Sequence, residues 1–321
     1  MTPTPALPDD GRAPVRGMTW GFPGERGTWS TPEARASLRA MTDLGTTWVT
    51  LAYAALQDTA QSTEIHWRDS GVVTDDEIRQ TAALSRELGL RICLKPMVNV
   101  ADGTWRAHIG FFDTDVPGEP TWSEWFTSYR AYIVHHAALA EELGAELLSI
   151  GCETVRADAQ EAHWRSLVDE VRAVYSGPIT YDVDKYQEDR LTWWDAVDVI
   201  SASGYYPAGT WEAHLDRIEK VVQEHGKPFL FLEAGCPSRE GSPERPNDWT
   251  FVGTPSQSAQ ADYLDEMMSA CGRRPWMGGF MLWDWPARLY PADTATTNTD
   301  YCVYAKAGAG VVAAHYRGAT D

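Results

Sequence analysis

The chain has 321 residues, 43% of them apolar, a size that one α/β barrel fills and enough for a sizeable core. Its formal net charge of −19, from 46 acidic against 27 basic side chains, leaves no basic stripe to displace counterions from phosphates. Nucleic acid and anionic membrane surfaces are therefore poor partners, no run of about 18 uncharged apolar residues suggests a membrane span, and a neutral or cationic substrate fits best.

In chain order, "MTPTPALPDDGRAPVR" (1–16) is rich in Pro and Asp and lacks an apolar signal-peptide core. It reads as a flexible N-terminal tail ahead of one domain over 17–321, and a cytoplasmic protein is expected. Short β-rich runs then alternate with helical stretches. "GMTWGF" (17–22), "TTWVTLAY" (46–53), "LRICLKPMV" (90–98) and "LLSIGCE" (147–153) predict four strands. "PITYDV" (178–183), "VDVISASGYY" (197–206), "PFLFLEAG" (228–235) and "GGFMLWDW" (278–285) predict four more. Between them lie helical patterns such as "TPEARASLRAMTDLG", "TDDEIRQTAALSRELG" and "SEWFTSYRAYIVHHAALAEELG". The first two start on Thr with acidic residues in the first turn, and all three end in Gly.

Eight strands alternating with helices predict an α/β fold, a single (β/α)8 TIM barrel. An open doubly wound sheet competes, but no glycine-rich phosphate turn follows the first strand. The long segments 99–121 and 236–256 follow strands three and seven, which places both on the face where barrel active sites lie.

Two glutamates end apolar strands. Glu153 closes "LLSIGCE" and Glu233 sits in "KPFLFLEAG", each where a charge is costly unless paired or functional. Strand ends four and seven converge across the mouth of a barrel. Two such carboxylates suit glycoside hydrolysis with retention, one protonating the leaving oxygen while the other attacks the anomeric carbon. The competing reading is a buried ion pair with Lys95 or Arg156.

Fifteen tryptophans are more than packing requires, and Trp105, Trp122, Trp125, Trp249, Trp283 and Trp285 fall in predicted loops or at strand ends. Indole faces stack on the C–H faces of sugars. Cys93, Cys152, Cys236, Cys271 and Cys302 are an odd number without metal-ligand spacing, so reduced thiols are expected. Cys152 and Cys236 sit close enough to the glutamates to line a site. His135 and His136 lie inside a predicted helix while His108, His163 and His225 are scattered, which favours surface or capping roles. No metal and no cofactor are expected.

The ordered segments "LKPMV", "DGTWRAHIGF", "WSEWFTSYRAYIVHHAALAEELGAELLSIGCE", "WRSLVDEVRAVYSGPITYD", "WWDAVDVISASGYYP", "GKPFLFLEAGCPS" and "GFMLWDW" resemble glycoside hydrolase family 113 over roughly residues 17 to 317. That family belongs to the retaining clan A of (β/α)8 barrels, and its characterised members are mainly β-1,4-mannanases. The resemblance implies Glu153 as general acid/base, Glu233 as nucleophile, Tyr205 beside the nucleophile to orient it, and Trp283 as the floor under the reacting sugar. Lys95, Trp105 and Arg106 follow or end strand three, where cationic donors reach sugar hydroxyls; for Lys95 an ion pair inside the barrel is the alternative. Trp20, Tyr206 and Trp249 are counted with them as substrate-binding aromatics.

Two departures from the family pattern fall at strand ends. Met97 stands where a histidine is expected after "LKP", and "YDVDKY" carries Asp182, Asp184 and Lys185 in place of a small-residue and Asn-Trp pattern. Extra carboxylates favour a cationic sugar such as glucosamine, with Asp184 the residue to suspect. The expected activity is a retaining β-mannan hydrolase, monomeric or weakly homo-oligomeric, with an oligosaccharide as partner and transglycosylation as a side reaction. The alternatives are a hydrolase of glucosamine-containing or gluco-configured oligosaccharides, a catalytically silent sugar-binding barrel, and a lyase or aldolase using Lys95 as a Schiff-base amine.

Overall fold

The computed structural model describes residues 14–69 and 71–318. Eight parallel strands close into a barrel in sequential order. They are β1 (Val15–Trp20), β2 (Trp48–Gln57), β3 (Arg91–Val100), β4 (Leu147–Cys152), β5 (Ile179–Val183), β6 (Val199–Gly204), β7 (Phe229–Ala234) and β8 (Met277–Trp285). The eight predicted strands coincide with these within a few residues. β1 takes in Val15 and Arg16, assigned above to the tail, because both pair with β8; residues 1–13 of that tail lie outside the described residues.

Among the described residues seven α-helices surround the barrel: α1 (Pro32–Thr42), α2 (Asp75–Glu87), α3 (Trp122–Leu143), α4 (Glu161–Arg172), α5 (Trp211–His225), α6 (Gln257–Gly272) and α7 (Ala307–Gly318). The two predicted start signals act as caps: Thr31 accepts from Ala34 N, and Thr74 closes a capping box with Glu77. Thr121, ahead of the third predicted pattern, closes another with Glu124, and Gly144 ends α3 in the left-handed conformation that glycine adopts without strain. Between β5 and β6 the described residues hold only a 3-10 turn, Trp194–Ala196. Trp193 and Trp194 fill the space where a helix would pack, Trp193 stacking on Trp164 at 5.1 Å. No helix of the described residues is long and apolar enough to cross a membrane.

The barrel interior is layered. Alternate residues of each strand face inward, and the floor is an apolar cluster of Val15, Trp48, Cys93, Leu147, Val199, Leu230, Leu232 and Met281. Above it lie hydroxyl side chains; Thr180 and Ser201 bond each other at 2.7 Å. The mouth above them carries charge. The opposite parity of each strand packs outward on the helices in one large core.

Near the mouth the alternation is broken by β-bulges. β4 has one residue more than β5 between Ser149 and Cys152, and β7 one more than β6 between Phe231 and Glu233. β8 gains one against β1 between Leu282 and Trp285. A bulge re-aims the side chains beyond it. Leu232 lies in the floor cluster, so strict alternation would send Glu233 outward to the helices; the extra residue turns it in.

Candidate active site

Glu233 ends β7 with both carboxylate oxygens occupied. Lys95 Nζ, from β3, donates to Oε1 at 2.6 Å, and the Tyr205 hydroxyl, just past β6, donates to Oε2 at 3.0 Å. Lys95 also donates to Asp182 Oδ2 of β5 at 2.5 Å. Cys152 Sγ lies 3.5 Å from Glu233 Oε1 and 3.5 Å from Asp182 Oδ2, which brings the end of β4, and so Glu153, beside the β7 carboxylate. The expected convergence of strands four and seven is what the chain builds.

Lys95 is fully buried with this pair, so the ion-pair alternative holds and its expected contact with sugar hydroxyls does not. Burial alone would pull its ammonium down, but Asp182, Cys152 and Glu233 hold it well above the ordinary lysine range. That also removes the Schiff-base reading, which needs a neutral, reachable amine. Burial pushes the Asp182 carboxyl up to about 7, opposed by Lys95 and reinforced by Glu233.

Glu153 follows β4 with φ +52°, in the left-handed region, and is largely buried. Its Oε2 accepts from Arg106 Nη1 at 3.3 Å and from Trp105 Nε1 at 3.4 Å. Arg106 is itself held by Asn99 Oδ1, at 3.1 Å from Nε and 2.8 Å from Nη2. The loop after β3 thus delivers Trp105 and Arg106 to the acid/base candidate, and Trp105 remains 42% exposed at the cleft edge. Asp184 also lies near Glu153: burial first, then the Glu153 charge, push its carboxyl up to about 7, against Lys185 at 3.6 Å.

Trp283, at the end of β8, is partly exposed and packs on Phe22 at 4.9 Å between centroids. The next residue, Asp284, is half-buried, and burial, then Asp300 and Glu233, push its carboxyl up to about 7. Trp249 is 69% exposed in the loop after β7, and among the described residues no bond ties it to either glutamate.

Two expected aromatics lie elsewhere. Trp20 is buried on the outer parity of β1, donating from Nε1 to Ser37 Oγ at 3.2 Å and packing on Trp29. Tyr206 is buried in a knot that holds the segment after β5: its hydroxyl bonds Glu188, which pairs with Arg217 at 2.8 Å. Both belong to the helix-facing core, as the alternation along their strands requires. Of the two helical histidines, His135 Nε2 meets Asp75 Oδ2 at 2.9 Å across α2 and α3, while His136 Nδ1 donates to the Tyr132 carbonyl at 2.9 Å. Asp75, His135 and His136 form one of two groups among the described residues close enough to share a cation; in the other, Cys152, Asp182 and Glu233, the Lys95 ammonium already supplies the positive charge.

Asp182, Asn99 and Asp284 were not predicted as site residues. The parity of β3 and β5 places Lys95 and Asp182 inside the barrel, a signal present in the sequence. Asn99 shares the inward parity of Lys95 on the regular end of β3, so the same signal reaches it; Asp284 lies within the bulge of β8, where that signal fails.

A sequence profile of Glycoside Hydrolase Family 113 matches residues 18–306. The chain is similar to a β-1,4-mannanase of that family solved as a complex, at 48% identity and a TM-score of 0.94, with 95% of this chain and 99% of that one covered. It is similar also to the β-mannanase AaManA of Alicyclobacillus acidocaldarius in complex with ManMIm, at 41% identity and a TM-score of 0.93, covering 97% and 99%. A β-glucuronidase of Ruminococcus gnavus, at 14% identity and a TM-score of 0.66 over 95% of this chain and 50% of its own, shares the fold alone. No curated protein matches.

Proposed function

The chain belongs to glycoside hydrolase family 113, and from that premise we propose that it cleaves β-1,4-linked mannan or manno-oligosaccharides with retention, Glu233 attacking and Glu153 serving as acid and then base. The observation that carries the role assignment is the asymmetry between the two carboxylates. Glu233 has a donor on each oxygen, Lys95 and Tyr205, which hold and aim the carboxylate as a nucleophile requires. Glu153 is met on one oxygen only, by the longer contacts from Arg106 and Trp105, and its other oxygen has no protein partner among the described residues. A carboxyl so placed can give its proton to a leaving oxygen and take one from water in the second step.

The sugar in the reacting position would lie on Trp283, with Trp105 and Arg106 along its edge and Asp184 toward the β5 side. A groove of about 740 Å³ over the ends of β1 to β3, lined by Pro23, Arg26, Leu56, His66 and Asn99, opens beside Arg106 through Asn99 and suits an extended chain of sugars. Trp249, exposed on the opposite loop, is a further stacking surface for the departing part of the chain. Five buried, unpaired thiols support a reducing, cytoplasmic setting, and we read the working unit as a monomer or weak homo-oligomer without metal or cofactor.

The test is product chromatography of the purified chain on β-1,4 oligomers of mannose, glucose, glucosamine and N-acetylglucosamine. Manno-oligomers are expected to be cut, Glu233→Ala to lose on the order of 10⁴-fold or more in kcat, and Glu153→Gln about 10²–10⁴-fold. Cleavage of amino-sugar oligomers alone would move the specificity to Asp184, and turnover near the wild-type rate in either variant would overturn the assigned roles.

A further inference from the structure

Resting on the reading of Glu233 as nucleophile, we propose that Asp182 is a positioning residue, the standing counter-charge that lets Lys95 remain an ammonium while the charge of Glu233 is consumed and restored in each turnover. The geometry is a chain of three buried groups. Lys95 Nζ sits between Asp182 Oδ2 at 2.5 Å and Glu233 Oε1 at 2.6 Å, with Asp182 and Lys95 fully buried. Among the described residues Asp182 Oδ1 has no hydrogen-bond partner, so this carboxylate is committed to Lys95; the Cys152 thiol and the Ser203 hydroxyl each lie 3.5 Å from Oδ2.

The charge balance shows what Asp182 does. In the first step an oxygen of Glu233 forms a bond to the anomeric carbon, the bond from that carbon to the leaving oxygen breaks, and the proton of Glu153 goes to the leaving oxygen. The negative charge of Glu233 disappears into an ester. Without Asp182, the Lys95 ammonium would then stand alone in a dry barrel, and stranding one member of a buried pair is strongly destabilising. With Asp182 present, the cation passes from two acidic neighbours to one and stays paired. Glu233 is itself one of the charges that push Asp182 up, so its neutralisation favours an ionised Asp182 when Lys95 needs it. Water then attacks the anomeric carbon, the bond from that carbon to the Glu233 oxygen breaks, Glu153 takes the water proton, and Glu233 leaves as a carboxylate that rejoins Lys95.

Asp182→Asn keeps the shape and removes the charge. Its resting enzyme holds a neutral Lys95–Glu233 pair, so the loss falls on forming the covalent intermediate. With β-1,4-mannotriose as substrate, kcat/KM is expected to fall at least about 100-fold with KM little changed. With 2-deoxy-2-fluoro-β-mannobiosyl fluoride, wild type should accumulate a covalent adduct by mass spectrometry while Asp182→Asn accumulates little. A structural role would lower activity without changing how the intermediate partitions. Lys95→Met forces two carboxylates together, so Lys95→Met/Asp182→Asn is expected to be at least about tenfold more active than Lys95→Met alone; this sign does not depend on Asp182→Asn folding well. Wild-type adduct levels in Asp182→Asn, or a double variant no better than Lys95→Met, would overturn the proposal. An adduct mapped in wild type to a residue other than Glu233 would instead overturn the nucleophile assignment beneath it.

Discussion

The floor and the mouth of this barrel are made by the same eight strands and obey opposite rules. The floor is closed by apolar side chains such as Trp48, Leu147, Leu230 and Met281, which hold the strands together by excluding water. A few residues further along, Lys95, Asp182, Glu233 and Asp184 gather in the same interior, where burial opposes every unpaired charge. The floor contributes stability without chemistry, and the mouth gives up stability to hold chemistry in place. Cost and function are separated along the barrel axis.

The sharpest test of that division is a pair of substitutions. Leu147→Ala empties part of the floor and is expected to lower the unfolding free energy by about 2–5 kcal/mol in urea titrations, leaving kcat of the folded enzyme nearly unchanged. Tyr205→Phe removes one donor from Glu233. A bond to a charged group is worth about 1.5–3 kcal/mol, so kcat is expected to fall roughly 10- to 150-fold, with a change in unfolding midpoint much smaller than that of Leu147→Ala. A Leu147→Ala enzyme that loses turnover as Tyr205→Phe does would break the division.

The same axis separates what the sequence discloses from what it hides. All eight strands are legible because each is an apolar run bounded by a turn, and the caps of α2 and α3 are legible because Thr and Glu stand three residues apart. Glu153 and Glu233 are legible as charges at the ends of such runs. Side-chain direction is legible only where alternation is regular. It would have assigned Trp20 to the helix side and Lys95 with Asp182 to the barrel interior. At the bulges on β4, β7 and β8 it fails, since one extra residue reverses the parity of everything beyond. The ring of active-site residues lies just past those bulges. Arg106 is legible only as a nearby cation in the loop after β3; no sequence pattern foretells that Asn99, on β3, holds it against Glu153.

A smaller effect follows from the protonation of the mouth. Burial pushes Asp184 up to about 7 and Asp158, under the loop after β4, up to about 8, from ordinary values of 3.8. Below pH 3.8 both carboxyls are protonated folded and unfolded. Between 3.8 and 7 to 8 the unfolded chain releases protons that the folded chain retains, so these groups lower stability as pH rises and their unfavourable contribution is complete above that window. Asp184→Asn removes one such group. Its unfolding midpoint should match wild type near pH 4 and exceed it increasingly toward pH 7; a constant offset across that range would mean that Asp184 is already ionised in the fold.

The least of these effects isolates the backbone of Glu153. Its φ of +52° is a conformation that a side chain with Cβ adopts at a cost of about 1–2 kcal/mol and that glycine adopts freely. Elsewhere, replacing alanine by glycine loosens the unfolded chain and destabilises by about 0.5–1 kcal/mol. At position 153 the order should reverse: Glu153→Gly and Glu153→Ala both lose turnover, but the glycine variant is expected to be the more stable by about 1 kcal/mol or less in urea titrations. Equal or inverted stabilities would mean that the bend after β4 relaxes once the carboxylate is gone. The left-handed turn would then be held by the bonds from Arg106 and Trp105 to Glu153, and the site would be shaping its own backbone rather than borrowing a shape from the barrel.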